Sequence, residues 1–311
     1  MTNKPYRIDV HHHIIPSEYI SSLKEIGITT AGNVPFPNWV IEDSLAAMDS
    51  LGIAIAITSI SSPGIYFGDH NFAETLARQC NEFSAQLIKN HPKRFGAFAI
   101  IPWTSASAAV DELKYAVDEL NLDGVGLLSS IDGHYLGDPD FTNLYAELNR
   151  RKTVVFIHPN SPPQEKLPIN DTRAAVLEFV FDTTRAVANM LYNGIFKRYP
   201  DIKFIVPHAG GTVPYVAGRM TMGNYRAIEQ LKTLYYDIAL SSTPFTLRSL
   251  QELVPTSHIL FGSDFPFLPK PMIKSTIKGL NEYDGFDEKI RAEIEQTNAL
   301  SLFPRFQSII E

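Results

Sequence analysis

Four separated stretches of the 311-residue chain each close a short apolar run on a side chain able to hold a metal or move a proton. They are Asp9-Val10-His11-His12-His13, Ile157-His158-Pro159, Pro207-His208-Ala209 and Gly262-Ser263-Asp264. Imidazole and carboxylate are the donors of hydrolytic metal sites and also of general acid–base catalysis. Side chains alternate across a strand, so His11 and His13 share one face while His12 faces the helix layer as a structural histidine. Asp9 is expected on the face of His11 but deeper, either orienting an imidazole or sitting as a satisfied core carboxylate. His158 reads as a ligand. His208 reads as a ligand or a free acid–base, with Ala209-Gly210-Gly211 leaving room above it for a substrate. Asp264 can bind a metal and also accept a proton. A second metal would want a bridging acid at the end of the fourth strand, but that strand closes on Leu127-Leu128-Ser129-Ser130, and Lys152 precedes the fifth strand at the wrong end. One metal is therefore expected. Three imidazoles and a carboxylate suit Zn²⁺, with Mn²⁺, Fe²⁺ and Co²⁺ also compatible.

For these residues to meet, their strands must end at one mouth. Eight candidate strands run in order at residues 6–13, 53–61, 95–101, 122–128, 153–158, 202–208, 234–240 and 258–264. Several are almost continuously apolar, such as Ile53-Ala54-Ile55-Ala56-Ile57, the pattern of a parallel strand covered on both faces. Helical periodicity fills the gaps at 42–50, 71–90, 105–120, 141–151, 172–198, 214–233, 244–253 and 288–302, with Ser105 and Thr243 placed as N-caps. Strand alternating with helix eight times predicts an α/β chain folded as a distorted (β/α)8 barrel, a single domain over 1–311 whose strand ends gather at one mouth. Residues 14–41 do not fit a minimal barrel. They are rich in Pro, Gly and aromatics and are expected to be an insertion at the mouth, a lid or a structural elaboration. Trp103 at the end of the third strand, Tyr66, Phe67, Phe36 and Trp39 are candidate pocket walls.

The bulk numbers narrow the class. Hydrophobic residues make up 44% and charged residues 20%, an ordinary globular balance. A net charge of −7 and a pI near 5.7 argue against a nucleic-acid or membrane surface. A lone Cys80 excludes an internal disulfide, reads as a small buried hydrophobe, and makes the cytoplasm the default location. No apolar run approaches the roughly 20 residues of a membrane helix, no signal-peptide region precedes the first strand, and no phosphate-binding glycine motif follows any strand.

Taken together, Ile8-Asp9-Val10-His11-His12-His13, Phe156-Ile157-His158-Pro159, the run from His208 through Gly210-Gly211 to Gly218-Arg219, and Leu260-Phe261-Gly262-Ser263-Asp264-Phe265-Pro266-Phe267 resemble the amidohydrolase superfamily over nearly the whole chain. Within it, the chain is most similar to the aminocarboxymuconate-semialdehyde decarboxylase-type branch. The resemblance implies one divalent metal on His11, His13, His158 and Asp264, and His208 as the acid–base. It implies that Arg219 helps bind a substrate carboxylate, in some relatives across a dimer interface; the other reading of Arg219 is a salt bridge on the sixth crossover helix. Trp103 and Phe267 are expected to touch substrate, and a homodimer is expected. The muconate-semialdehyde enzymes carry an arginine in the insertion, whereas Lys24 is the only basic residue between 14 and 41 here. A less charged salicylate- or methylsalicylate-type acid therefore fits the aromatic mouth better. The expected reaction is non-oxidative decarboxylation with His208 or Asp264 as proton donor. Hydrolysis of a lactone or amide by the same residues is the rival, and a non-catalytic binding protein the third reading.

Overall fold

A computed structural model describes residues 6–160 and 174–310. Eight parallel strands form one sheet in chain order: β1 (Arg7–His13), β2 (Ile53–Ser59), β3 (Phe95–Ile100), β4 (Gly124–Leu128), β5 (Val154–His158), β6 (Lys203–Val206), β7 (Tyr235–Asp237) and β8 (Ile259–Leu260). Backbone bonds across the seam close the ring: Val10 N donates to Phe261 O at 3.0 Å, Asp264 N to His11 O at 2.7 Å, and His13 N to Phe265 O at 2.6 Å. The chain is thus a (β/α)8 barrel, as the alternating pattern requires. The seam that closes it also carries His11, His13 and Asp264.

Buried apolar side chains of β1, β2 and β5, with Phe98, Ile205 and Leu260, fill the barrel interior. Phe303 and Phe306, contributed by the C-terminal segment, join that cluster, and Phe306 packs beside Gly96 near the start of β3. The open end is therefore the C-terminal one. Outside lie α1 (Ser17–Glu25), α2 (Ile41–Leu51), α3 (His70–Asn90), α4 (Ala106–Lys114), α5 (Thr142–Arg151), α6 (Glu178–Tyr192), α7 (Ile195–Arg198), α8 (Val213–Met220), α9 (Tyr225–Lys232), α10 (Pro244–Leu253), α11 (Lys270–Glu282), α12 (Glu288–Ala292), α13 (Asn298–Leu302) and α14 (Gln307–Ile310). Ser105 and Thr243 are the N-caps expected, accepting from Ala108 N at 3.1 Å and Thr246 N at 3.4 Å.

Several expectations are corrected. The strands expected through 208 and 264 stop earlier, at Val206 and Leu260, and His208 and Asp264 sit in the turns beyond them with left-handed backbone, φ 53° and 58°. The helix expected over 214–233 is broken at Met222-Gly223, both at positive φ. The helix expected over 172–198 is described from Ala174 onward; its start at Thr172 lies outside the described residues. Three helices escape the periodicity reading: α1 inside the insertion, α11, the helix that actually follows β8, and the short C-terminal α14. No described helix is long and apolar enough to cross a membrane.

Candidate functional site

The mouth gathers five residues from four strand ends. His11 and His13 come from β1, His158 from the last residue of β5, His208 from the turn after β6, and Asp264 from the turn after β8. Ligand atoms of His11, His13, His158 and Asp264 all lie within 4.8 Å of one another, and all four residues are buried. His11 Nε2 is 3.1 Å from His13 Nε2, and Asp264 Oδ1 is 3.4 and 3.2 Å from those two nitrogens.

What turns the three Nε2 atoms inward is the partner on each Nδ1. His11 Nδ1 meets Asp237 Oδ2 at 2.9 Å, His13 Nδ1 meets Ser59 Oγ at 2.9 Å, and His158 Nδ1 donates to Pro159 O at 2.7 Å. A carboxylate or carbonyl can only accept. The Nδ1 nitrogens of His11 and His158 therefore carry their protons, which leaves the Nε2 lone pairs free when the rings are neutral. Asp237, at the end of β7, was not singled out by sequence reasoning. The available signal was a carboxylate closing the apolar run before Ile238, the same signature that marked the other strand ends.

The electrostatics follow from burial and like or opposite neighbours. Burial works against charge on His11, but Asp237 and Asp264 outweigh it and lift its pKa to about 10. Burial, reinforced by the neighbouring His13 and His11, pushes His158 well below its ordinary value. Burial alone would raise the Asp264 carboxyl, yet His11, His13 and His208 around it hold it well below the usual range.

His208 stands apart. Neither of its ring nitrogens has a hydrogen-bond partner among the described residues, and its Nε2 makes a long ion-pair contact of 3.7 Å with Asp264 Oδ2. It faces a cavity of about 320 Å³ that His158 and Asp264 also line. The rest of the wall is mostly apolar, with Val34, Phe179, Val180, Phe267, Leu268 and Met272; Ser61, Ser62 and Ser241 add hydroxyls. No Lys or Arg lines it among the described residues.

Other expectations fall differently. The strand β1 shifts register against β2 between Asp9 and His12, and the Asp9 side chain ends on His12 rather than under His11. Asp9 accepts from His12 Nδ1 at 3.0 Å, His11 N at 3.1 Å and Ser263 N at 2.9 Å, so it ties β1 to the Asp264 turn. His12 continues outward to Ser44 Oγ on α2 at 2.9 Å, the structural role expected of it. Phe267 lines the cavity and packs edge-on against His13, ring centres 5.6 Å apart. Trp103 does not line this cavity: its ring stacks on Phe141 at 3.5 Å and borders a separate cavity of about 40 Å³ with Tyr66. Arg219 is exposed on α8, neither lining the cavity nor forming a salt bridge among the described residues. From residues 14–41 it is Ala31, Gly32 and Val34, on a short hairpin, that reach the cavity; Phe36 and Trp39 pack on the core instead.

The glycines after His208 do not leave open room. A Cβ on Gly210 would lie 2.7 Å from the Tyr236 ring, and one on Gly211, at φ 63°, would collide with the Val180 carbonyl oxygen. They let the turn pack directly on β7 and α6. Gly211→Ala is expected to lower stability by at least about 2 kcal/mol in urea unfolding, since strain and collision coincide there.

Fold and site together define a (β/α)8 barrel with a histidine–carboxylate cluster at its mouth and a buried histidine beside it. The chain belongs to the amidohydrolase family, whose sequence model matches residues 8–305. A 6-methylsalicylic acid decarboxylase from Penicillium expansum is 34% identical over 320 residues, covering 98% of each chain. The solved structure of an amidohydrolase II superposes with a TM-score of 0.91 at 29% identity, over 96% of this chain and 99% of that one. A dihydroxybenzoic acid decarboxylase from a Polaromonas species, with bound manganese and the inhibitor 2-nitroresorcinol, superposes with a TM-score of 0.82 over 96% of this chain and 97% of that one; at 21% identity this likeness carries the fold alone.

Proposed function

We propose that the chain is a metal-dependent, non-oxidative decarboxylase of small hydroxybenzoic acids. The observation that carries this reading is His208, a buried imidazole with neither ring nitrogen hydrogen-bonded among the described residues, set in an apolar cavity beside four converging donors. The 34% relationship to a 6-methylsalicylic acid decarboxylase supports the reaction and the substrate class.

His11, His13, His158 and Asp264 would hold one divalent ion. Their donor chemistry fits it, since the partners on Nδ1 leave the Nε2 atoms converging on Asp264. When bound, the ion would draw negative charge from the substrate's oxygens. Zn²⁺ suits three imidazoles and a carboxylate, and manganese is the ion of the Polaromonas neighbour.

Direct loss of CO2 from an arene would leave an aryl carbanion. A proton delivered first by His208 to the ring carbon bearing the carboxylate removes that barrier. The carbon–carbon bond then breaks, its electron pair restores the aromatic ring, and CO2 departs; His208 regains its proton from water. Asp264, whose Oδ2 lies 3.7 Å from His208 Nε2, is the other acid at the mouth and is assigned to the ion in this reading. Phe267, Phe179, Val180 and Leu268 would press on the ring and exclude water from it. With no cation among the described lining residues, a second substrate carboxylate would lack a counter-charge.

Residues 14–41 act as the cavity's lid in one domain with the barrel, and the protein works in the cytoplasm as a homodimer. Tyr215, one turn before Arg219 on α8, is exposed, as is Met222 just past the helix. Because Arg219 does not line its own chain's cavity, any hold on substrate by it requires the second copy.

The test is CO2 release by Zn²⁺- or Mn²⁺-loaded protein from 6-alkylsalicylates, other hydroxybenzoates and unsaturated dicarboxylates, run beside lactones and amides. CO2 is expected from the monocarboxylic hydroxybenzoates and far more slowly from dicarboxylates. Silence on every acid, with turnover of a lactone or amide, would move the same residues to hydrolysis.

A further inference from the structure

Asp237 is fully buried at the end of β7, outside the four donors and away from the cavity wall. Its two carboxylate oxygens serve different masters. Oδ2 takes His11 Nδ1 at 2.9 Å. Oδ1 takes two backbone amides, His208 N at 3.2 Å and Ala239 N at 2.9 Å. A Cβ on Gly262 would lie 3.0 Å from Asp237 Oδ1 and 2.8 Å from the His11 Cβ, so the carboxylate is boxed in from the β8 side as well.

We infer that Asp237 is a positioning residue that couples the metal site to the acid–base. It fixes the His11 proton on Nδ1, which leaves Nε2 for the ion, and through Oδ1 it holds His208 in its left-handed backbone, φ 53°. Only a group with two acceptor atoms can do both, because all three partners donate. An asparagine offers one acceptor and one donor. Whichever way its amide turns, a donor faces a donor, at His11 or at the His208 turn. This inference rests on the proposed metal site, but not on decarboxylation.

The test is Asp237→Asn, with Co²⁺ affinity measured by chelator competition and kcat measured at saturating metal. With the amide oxygen on the backbone, Co²⁺ affinity falls by about 10–100-fold. With it on His11, affinity holds and kcat per loaded site falls. Either result supports the coupling. Unchanged affinity with unchanged kcat overturns it. Should the variant fail to fold, the wild-type protein loaded with Co²⁺ still decides. The His11 Nδ1–H is expected as a hyperfine-shifted, slowly exchanging proton resonance; its absence, or Co²⁺ on His11 Nδ1, overturns the inference. Wild-type protein that takes up no Co²⁺ overturns the metal site along with it, whereas uptake without these signatures overturns the coupling alone.

Discussion

Replacing His208 with Asn is expected to lower kcat by about 10²- to 10⁴-fold, the usual worth of a positioned acid or base, while metal content stays at the wild-type level. Asn is the informative choice for two reasons. The native residue holds a left-handed backbone, and Asn tolerates that region better than Ala. The imidazole also makes no hydrogen bond among the described residues, so besides a proton donor the substitution removes one long contact to Asp264. Measurement of kcat, bound metal and thermal midpoint on one preparation separates the readings. A variant that keeps its metal and fold but loses turnover supports His208 as the donor. A variant that keeps wild-type turnover removes His208 from the reaction.

The second large effect is loss of the metal. Chelation, or His13→Ala, is expected to abolish decarboxylation and remove metal-dependent stabilisation. An ion that binds only the folded chain stabilises it by roughly 2.7 kcal/mol at a free concentration 100 times Kd. For a chain of 311 residues that is a rise in Tm of roughly 4 °C. Wild-type protein should show that rise on adding Zn²⁺ or Mn²⁺ after chelation, and His13→Ala should show none. His13 is the residue to change because its other contacts are few: its Nδ1 meets only the Ser59 hydroxyl, whereas His11 is also bound to Asp237. Activity that survives exhaustive chelation would contradict a metal-dependent mechanism.

Much of the barrel was legible because its signal is coarse. Eight apolar runs alternating with amphipathic stretches admit few topologies, and the runs that end on His or Asp mark the mouth. The misses share physical causes. Register on β1 follows from its shift against β2, which strict alternation does not anticipate, so Asp9 was placed under His11 when it serves His12 and Ser263. The apolar runs read on to 208 and 264, whereas left-handed turns at non-glycine residues carry no propensity signal. The helix α11 starts at Pro269-Lys270-Pro271, and prolines that read as breakers are permitted in a first helical turn. Trp103 looked like a pocket wall from its place after the third strand, but a flat face on Phe141 buries it better. Asp237 went unremarked because one carboxylate after an apolar run is weak evidence until the His11 and His208 contacts are seen.

The most direct test of the whole account is to follow 6-methylsalicylate with metal-loaded protein in D2O by proton NMR and mass spectrometry. The account predicts one CO2 per phenol, one deuterium at the ring carbon that carried the carboxylate, and no product with His208→Asn. Unchanged acid after long incubation with fully loaded, folded protein, while a lactone or amide is consumed, would contradict it.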